Sequence, residues 1–557
     1  MLRTLPLCAL LILAPSAGAQ PRAEAVTSKG GVVVCVSPPA AEGGLAIVKK
    51  GGNAADAAVA TAFALTVTWP EAGNIGGGGF MMVAAPGKAP TCIEYRETAP
   101  AAAKENLFAD GKVTGFDHKA AGVPGTVRGL ALAHKRFGKL PWKDVVMPAV
   151  VLAEKGFTVN AVLAAGLNKV LADPKTTNAE FKRVYGKANG AKWQAGDKLV
   201  LKDLGRTLRL IAENGADAFY TGDLADLLAK EMKDNGGLIT KADLEAYKAN
   251  ERKPIHTTFR GYDVYGPPPP SSGGIALAQM LNILETFDLK KHGRDSVETH
   301  ALMIEAMKRA YADRALHLGD PDFTKIPAEL TTKDYAKKLA AGIDPAKPTP
   351  SAKLTPDIEL TAESDSTTHF SVIDKDGLAV SNTYTLENSY GNRVVVRGAG
   401  YILNNEMTDF NPKPGVTTTK GQIGTKPNLV APGKRMLSSM TPVILLKDGK
   451  PVLITGSPGG RTIINTVLCV VLNVCEFEMS AEEAVAAPRL HHQWLPDAVR
   501  IESTGAKEVR LRIELTKRGY DVMLGKQGDA HTIGIDPKTG ARTGVADKRL
   551  DGKAVGE

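Results

Sequence analysis

Five cysteines are all this 557-residue chain has, and no two stand in a CxxC pair or near a histidine at zinc-ligand spacing, which excludes a dithiol redox motif and a cysteine–histidine metal site. Cys8 falls in the leader described below. Cys35, Cys92, Cys469 and Cys475 remain, each in an apolar context where one or two disulfides and buried free thiols are both open readings. The 69 Lys+Arg and 60 Asp+Glu lack any basic block. The net charge of +9 is therefore spread over solvated faces and attracts anions generally, which excludes a nucleic-acid surface. Long apolar runs are missing too: Val467 to Val474 is interrupted by Asn473 and reads as buried core, so no membrane span is expected after the leader. Internal repeats are absent. Aromatic residues are few, yet 43% hydrophobic content over this length supports a large core, built as two or more domains or as one large two-part unit.

The amino terminus has its own pattern. Met1 to Gln20 carries Arg3, an apolar run from Leu5 to Ala14, then Ala17-Gly18-Ala19, a small-residue cleavage pattern. Residues 1–19 read as a secretory signal peptide and not an anchor, because the run is too short to span and no stop-transfer pattern follows. The mature chain is expected to start near Gln20 and to be secreted, into the periplasm for a leader of bacterial type.

The stretch richest in chemistry runs from Ser364 to Leu386. Phe370, Val372 and Ile373, then Leu378, Ala379 and Val380, flank Asp374-Lys375-Asp376-Gly377, whose Asp-Gly end suits the positive φ of a tight hairpin turn. A cut before Thr367 would make that threonine the first residue of a strand, with its own α-amino group beside its hydroxyl. A threonine hydroxyl alone is a weak nucleophile; an amine of pKa about 7.7–8.0 can take its proton near neutral pH. Taken singly, Thr367-Thr368 is more often a pair of β-formers opening a strand. The composition of Ile343 to Ser366, with Asp344-Pro345-Ala346-Lys347-Pro348-Thr349-Pro350, predicts an exposed, weakly structured tail suited to cleavage.

Other segments frame this hairpin. Gly30 to Val36 reads as a buried strand, and Gly51-Gly52-Asn53-Ala54-Ala55-Asp56-Ala57-Ala58 as a tightly packed helix starting near Asn53. Gly76-Gly77-Gly78-Gly79-Phe80 lacks the lysine and Ser/Thr of a P-loop, so it predicts close backbone packing at a strand entrance. Cys92 to Arg96 reads as a strand ending in Arg96-Glu97, and Ala121 to Leu167 turns helical. Pro267 to Gly274 predicts an ordered loop over the core, with a helix from Gly274 to Leu284 after it. The longest helix is expected over His300 to Leu318, with Ile304, Met307, Ala310 and Tyr311 near one face. Thr455-Gly456-Ser457-Pro458-Gly459-Gly460 precedes a helix from about Thr462 to Leu472; backbone N–H groups at such a turn can hold an oxyanion, although a Gly-Gly turn is packing more often.

Together these motifs resemble the γ-glutamyltransferases, or γ-glutamyltranspeptidases, of the N-terminal-nucleophile hydrolase superfamily. The resemblance runs from about Gly30 to Gly544. It rests on Gly51 to Ala58, Gly76 to Phe80, Tyr95-Arg96-Glu97-Thr98-Ala99-Pro100, Thr367-Thr368-His369-Phe370-Ser371-Val372, Leu403 to Phe410, Leu437-Ser438-Ser439-Met440, Gly456 to Gly460 and Pro488 to Gln493. It implies a four-layer αββα sandwich of α/β (α+β) class and a proenzyme that cuts itself between Ser366 and Thr367 by an N→O acyl shift. A large subunit, 20–366, and a small one, 367–557, would stay associated as a heterodimer. Thr367 would then attack the γ-carbonyl of glutathione or another γ-glutamyl compound, and pass the acyl group to an amino acid, a peptide or water. The resemblance implies Thr385 as the group orienting the Thr367 amine, and the N–H groups of Gly459 and Gly460 as the oxyanion donors. It implies Arg96, Ser438 and Ser439 for the α-carboxylate, and Asp409, Glu406 and Glu387 as candidates for the α-ammonium. No cofactor and no metal are called for.

Some positions depart from the family pattern. Glu387 stands where some members carry asparagine and others glutamate, adding a negative charge near the ammonium. The loop from Asn411 to Arg435 has the length of an active-site lid, yet Lys420 lies about where some members place an aromatic lid residue. His491 and His492 belong to the motif but are expected as buried structural histidines. Two rival readings stand beside the main one. The first is an acylase of the same superfamily that removes glutaryl from a cephalosporin-type amide. Glutaryl lacks the ammonium, and Glu387, Glu406 and Asp409 argue against it. The second is a secreted binding protein without turnover, against which the intact Thr367, Thr385, Gly459 and Gly460 argue.

Overall fold

Strands that alternate apolar residues on both faces need cover on both sides, and here two seven-stranded sheets face each other while helices coat each outer surface. The computed structural model describes residues 24–355, 367–503 and 505–557. The expected signal peptide and Ser366 lie outside the described residues. One sheet runs in the order Glu24–Ser28, Arg542–Ala546, Thr532–Ile535, Lys450–Thr455, Val443–Lys447, Tyr262–Gly266, Ile255–Phe259. The other runs Lys553–Gly556, Val32–Cys35, Thr368–Ile373, Ala379–Thr385, Gly78–Ala84, Thr91–Glu94, Asn250–Arg252. Neighbours in both sheets pair antiparallel.

The period of two sorts the side chains. Val32 and Val34 enter the layer between the sheets, with Phe80, Met82, Ile444, Ile454 and Ile533, while Val33 and Cys35 point outward to the helices on that side. Those helices include Ala54–Thr68, in which every residue is buried and which is too small-chained to hold its neighbours far away. Asn53 caps it, accepting from the N–H groups of Ala55 and Asp56, and Asp56 returns the bond to the Asn53 N–H. The opposite outer layer is built on Gly273–Leu284, Val297–His317 and Ile463–Cys475, packed on Val264, Leu445 and Leu453. The arrangement is the αββα sandwich expected.

Local expectations hold to within a few residues. The longest helix begins earlier than its apolar stripe, at Val297, because Ser296 caps it by accepting from the Thr299 N–H. The proline-rich loop is ordered, with Pro267 to Gly274 buried. The four remaining cysteines are buried free thiols, which closes the question of pairing. Among the described residues no helix is long and apolar enough to cross a membrane.

One expectation holds only in part. Of the tail predicted to be exposed and weakly structured, 343–355 is irregular and mostly exposed or half-buried, but it is tied down: Lys308 Nζ donates to the Thr349 carbonyl at 2.6 Å, Glu305 accepts the Thr349 N–H at 3.0 Å and Asp497 accepts the Ser351 N–H at 2.8 Å. Trp494 Nε1 adds a bond to the Ser351 carbonyl at 3.0 Å. Backbone polar groups of a polar, proline-rich segment can be satisfied by buried charged side chains, which composition does not reveal.

Candidate functional site

The hairpin carries Thr367 to the middle of the second sheet. Its turn closes through Asp374, whose Oδ1 accepts the N–H groups of Asp376 and Leu378, each at 3.0 Å, with Gly377 at a φ of 89°. The register opposes Thr368 to Tyr384 and His369 to Thr383, so the rung beyond brings Thr367 to Thr385; their hydroxyl oxygens lie 3.4 Å apart. Thr385 is fixed in turn. Its Oγ1 accepts the Glu387 N–H at 2.9 Å, and its carbonyl accepts from Asn74 Nδ2 at 2.9 Å. A Cβ on Gly77 would lie 2.0 Å from that carbonyl, which is why the strand entrance needs glycine. One rung down, His369 is fully buried with Nδ1 2.8 Å from Thr383 Oγ1 and Nε2 3.1 Å from Ser371 Oγ. Burial holds its pKa well below the ordinary imidazole value, so it is a neutral strut.

Two cavities meet at Thr367. One, of about 290 Å³, is walled by Trp69, Glu71, Gly459, Asp529 and Arg549. The other, of about 40 Å³, is walled by Arg96, Thr385, Glu387, Glu406, Asp409, Ser438, Ser439 and Gly460. Every site residue expected from the sequence within the described residues therefore borders one cavity or both. Gly459 and Gly460 turn the chain from the strand Lys450–Thr455 into the helix Ile463–Cys475, with Gly459 at a φ of 125° that disfavours any side chain. Neither N–H donates to a described backbone carbonyl.

The electrostatics centre on Arg96, which is fully buried. Its guanidinium pairs with Glu406 and Asp409 and lies 3.5 Å from Glu97, and its Nε donates to the Met436 carbonyl at 3.2 Å. Burial disfavours the cation, but Glu406, Asp409 and Glu97 outweigh it and hold its pKa above the ordinary arginine value. One cation among that many carboxylates leaves a surplus of negative charge. Burial pushes Glu97 up to about 8 against the pull of Arg96, and pushes Glu406 well above the carboxylate range. Among the described residues, Oε1 of Glu97 and Oε1 of Glu406 are buried acceptors without a hydrogen-bond donor. Glu387 is placed by a left-handed φ of 76°, with Asn405 Nδ2 bonded to its Oε2.

Two hydroxyls share the cavity wall with these acidic groups. Ser438 Oγ accepts the Met440 N–H at 3.0 Å, and Ser439 Oγ accepts from Arg314 Nη2 at 3.0 Å. Arg314, Asn411, Asn428 and Arg461 also wall the cavity, and sequence reasoning did not select them. Arg314 had a signal: it continues the stripe of Ile304, Met307 and Tyr311 at helical spacing, a cation on a buried face. Lys420 is exposed and is not in the cavity wall; its loop is tied inward where Gly421 accepts from Arg461 Nη1 at 2.9 Å. His491 and His492 are buried, in bonds to Gln493 and Asp497. Among the described residues no group of three or more His, Cys, Asp or Glu is placed to hold a metal ion.

A family model described as Gamma-glutamyltranspeptidase matches residues 40–557. The glutathione hydrolase proenzyme of Escherichia coli (strain K12) is 47% identical over 532 residues, 94% of this chain and 91% of that protein. Among solved structures, the gamma-glutamyltranspeptidase of Helicobacter pylori is 40% identical with a TM-score of 0.55, covering 57% of this chain and 92% of that one. The cephalosporin acylase of Bacillus halodurans superposes over 98% of this chain and 99% of its own with a TM-score of 0.85, at 28% identity.

Proposed function

Because the chain belongs to the gamma-glutamyltranspeptidase family, we propose that Thr367 is its nucleophile, freed by a cut after Ser366, and that the cavity beside it binds a γ-glutamyl head. The protein is a γ-glutamyltransferase of the glutathione hydrolase type, a two-subunit enzyme acting on small molecules. The observation that supports the site reading is that the Arg96–Glu406–Asp409 cluster, Ser438, Ser439 and Thr367 line one cavity.

A glutamyl head is a zwitterion at one end. Its carboxylate replaces Asp409 on one Arg96 nitrogen and takes the two serine O–H donors, and its ammonium is received by Asp409 and by Glu406 Oε1. One ion pair, Arg96 with Asp409, is exchanged for three, so each charge of the head gains an opposite partner. The γ-carbonyl then faces Thr367 Oγ1. The freed α-amine takes the hydroxyl proton as the bond to carbon forms, and the oxyanion is received by the N–H groups of Gly459 and Gly460. Collapse expels the amine, which takes the proton, and leaves an ester on Thr367. Water or an acceptor amine, such as an amino acid or peptide, attacks the ester and regenerates the hydroxyl. Glutathione is the donor proposed, and secretion of the protein remains part of the same proposal.

The acylase reading is less supported. Identity is 47% to the glutathione hydrolase proenzyme against 37% to an acylase proenzyme of Pseudomonas sp. (strain SE83), and a glutaryl group would leave Glu406 and Asp409 without a cation. Intact mass and amino-terminal sequencing beside Thr367→Ala test the proposal. Two fragments, the smaller starting Thr-Thr-His-Phe, with an uncut variant and hydrolysis of a γ-glutamyl anilide by the wild type, are expected. An uncut, inactive wild type would refute it.

A further inference from the structure

We propose that Arg314 is a positioning residue for donor recognition, which fixes the Ser439 hydroxyl as a donor and supplies the buried positive charge that selects substrates carrying an α-carboxylate. This rests on the proposed binding of that carboxylate by Ser438 and Ser439.

Arg314 lies near the end of the helix Val297–His317, with its side chain 9% exposed or less and its guanidinium in the wall of the catalytic cavity. Its Nε donates to Ser272 Oγ at 2.9 Å and its Nη2 to Ser439 Oγ at 3.0 Å. No carboxylate of a described residue lies within ion-pair distance of it, in contrast to Arg96 in the same wall. A buried cation hydrogen-bonded only to hydroxyls, with Asp409 attracting it only at longer range, is costly to maintain without an anion that uses it.

Donor accounting gives the arrangement its direction. A serine hydroxyl has one proton and two lone pairs. Ser439 Oγ accepts from a cation that has no lone pair to offer in return, so its O–H must point elsewhere. Ser438 Oγ likewise accepts one bond, from the Met440 N–H. Both hydroxyls thereby keep their proton free to donate, and a group that accepts two O–H bonds beside a guanidinium is a carboxylate. Ser272 completes the frame. Its N–H and its Oγ both donate to the Ser438 carbonyl, at 2.8 and 2.7 Å, and Ser271 Oγ donates to the Met440 carbonyl at 2.6 Å. The proline-rich loop thus clamps the serine pair on one side while Arg314 sets it from the other.

The test uses the purified, processed enzyme and three anilides. γ-Glutamyl p-nitroanilide carries both head groups, glutaryl p-nitroanilide lacks the ammonium, and 4-aminobutyryl p-nitroanilide lacks the α-carboxylate. Where turnover is too slow, each is measured as a competitive inhibitor. Arg314→Met is expected to lower kcat/KM for the two carboxylate-bearing substrates about tenfold or more, chiefly through KM, and to spare the 4-aminobutyryl compound. The loss should not add to that of Ser439→Ala, since both act through one hydroxyl. Equal losses for all three substrates, or full additivity with Ser439→Ala, would overturn the proposal. Should Arg314→Met yield no processed protein, Arg314→Lys carries the test with the same expected selectivity, because an ammonium cannot reproduce the planar fork that spans two hydroxyls. A selective Ser439→Ala with a neutral Arg314 variant overturns only the part assigned to Arg314; a neutral Ser439→Ala overturns the carboxylate reading beneath it.

Discussion

Glu406→Gln tests the carboxyl proposed to receive the ammonium. The side chain is fully buried, its Oε2 accepts from Arg96, and its Oε1 has no donor among the described residues. Glutamine keeps the volume and one carbonyl acceptor but cannot ionise, so the packing is preserved while the carboxylate that an arriving ammonium would favour, against the burial that raises its pKa, is lost. A hydrogen bond to a charged group contributes about 1.5–3 kcal/mol. At about 1.4 kcal/mol per tenfold, kcat/KM for γ-glutamyl p-nitroanilide should fall roughly 10- to 150-fold. The glutaryl anilide presents no ammonium and also escapes repulsion from one carboxylate, so its kcat/KM should hold or rise. Initial rates at 405 nm are the assay, on protein whose processing has been verified by gel, and the wavelength is about that at which p-nitroaniline is followed. The readout is the ratio of the two specificity constants. A parallel fall for both substrates would show that Glu406 serves the stability of the Arg96 cluster and not the ammonium, and would refute the reasoning.

Further outcomes follow from the same geometry. Thr385→Val removes the hydroxyl 3.4 Å from that of Thr367 and leaves the Glu387 N–H without its acceptor; kcat should fall about 10- to 100-fold with slowed self-cleavage, while Thr385→Ser keeps most activity, as followed by gel and anilide assay. Glu97 has a folded-state pKa of about 8 against an ordinary 4.5, so the fold binds its proton more tightly than the unfolded chain does. Its stabilising effect is full below the ordinary value and is lost as pH rises toward 8. Glu97→Gln should therefore raise the melting temperature more at pH about 8 than at pH about 5, and an equal shift at both would count against it. Lys308→Met removes the donor to Thr349 and the pairing to Asp497. Limited proteolysis should then cut within 343–355 faster than in the wild type, whereas unchanged cleavage would show that the remaining bonds suffice.

The hairpin was legible because its turn chemistry and its two apolar flanks agree, and the capped helix at Asn53 because Asn53 and Asp56 form a local motif. The site residues were legible as members of motifs, not by spacing: Arg96, Glu406 and Ser438 are far apart in the chain and meet only through the sheet and its loops. Arg314 escaped because a lone arginine in a long helix gives no sign that its neighbours are hydroxyls. The docking of 343–355 escaped for a related reason. Its partners are Glu305, Lys308, Trp494 and Asp497, and a polar segment is read as solvated unless such distant polar groups, two of them the buried charges Glu305 and Lys308, are known to lie beside it.

The order of strands has a further consequence once the chain is cut before Thr367. Val32–Cys35 from the first fragment is laced between Lys553–Gly556 and Thr368–Ile373 of the second, and Ala379–Thr385 of the second pairs with Gly78–Ala84 of the first. The fragments cannot slide apart along a surface, because the seam between them is the hydrogen-bond ladder itself. Dilution should therefore leave the cut enzyme intact. Denaturation, by contrast, turns a single-chain folding problem into an encounter of two half-sheets with unpaired edges, prone to pair wrongly. A cut there would make maturation a ratchet, its product enduring through the slowness of coming undone.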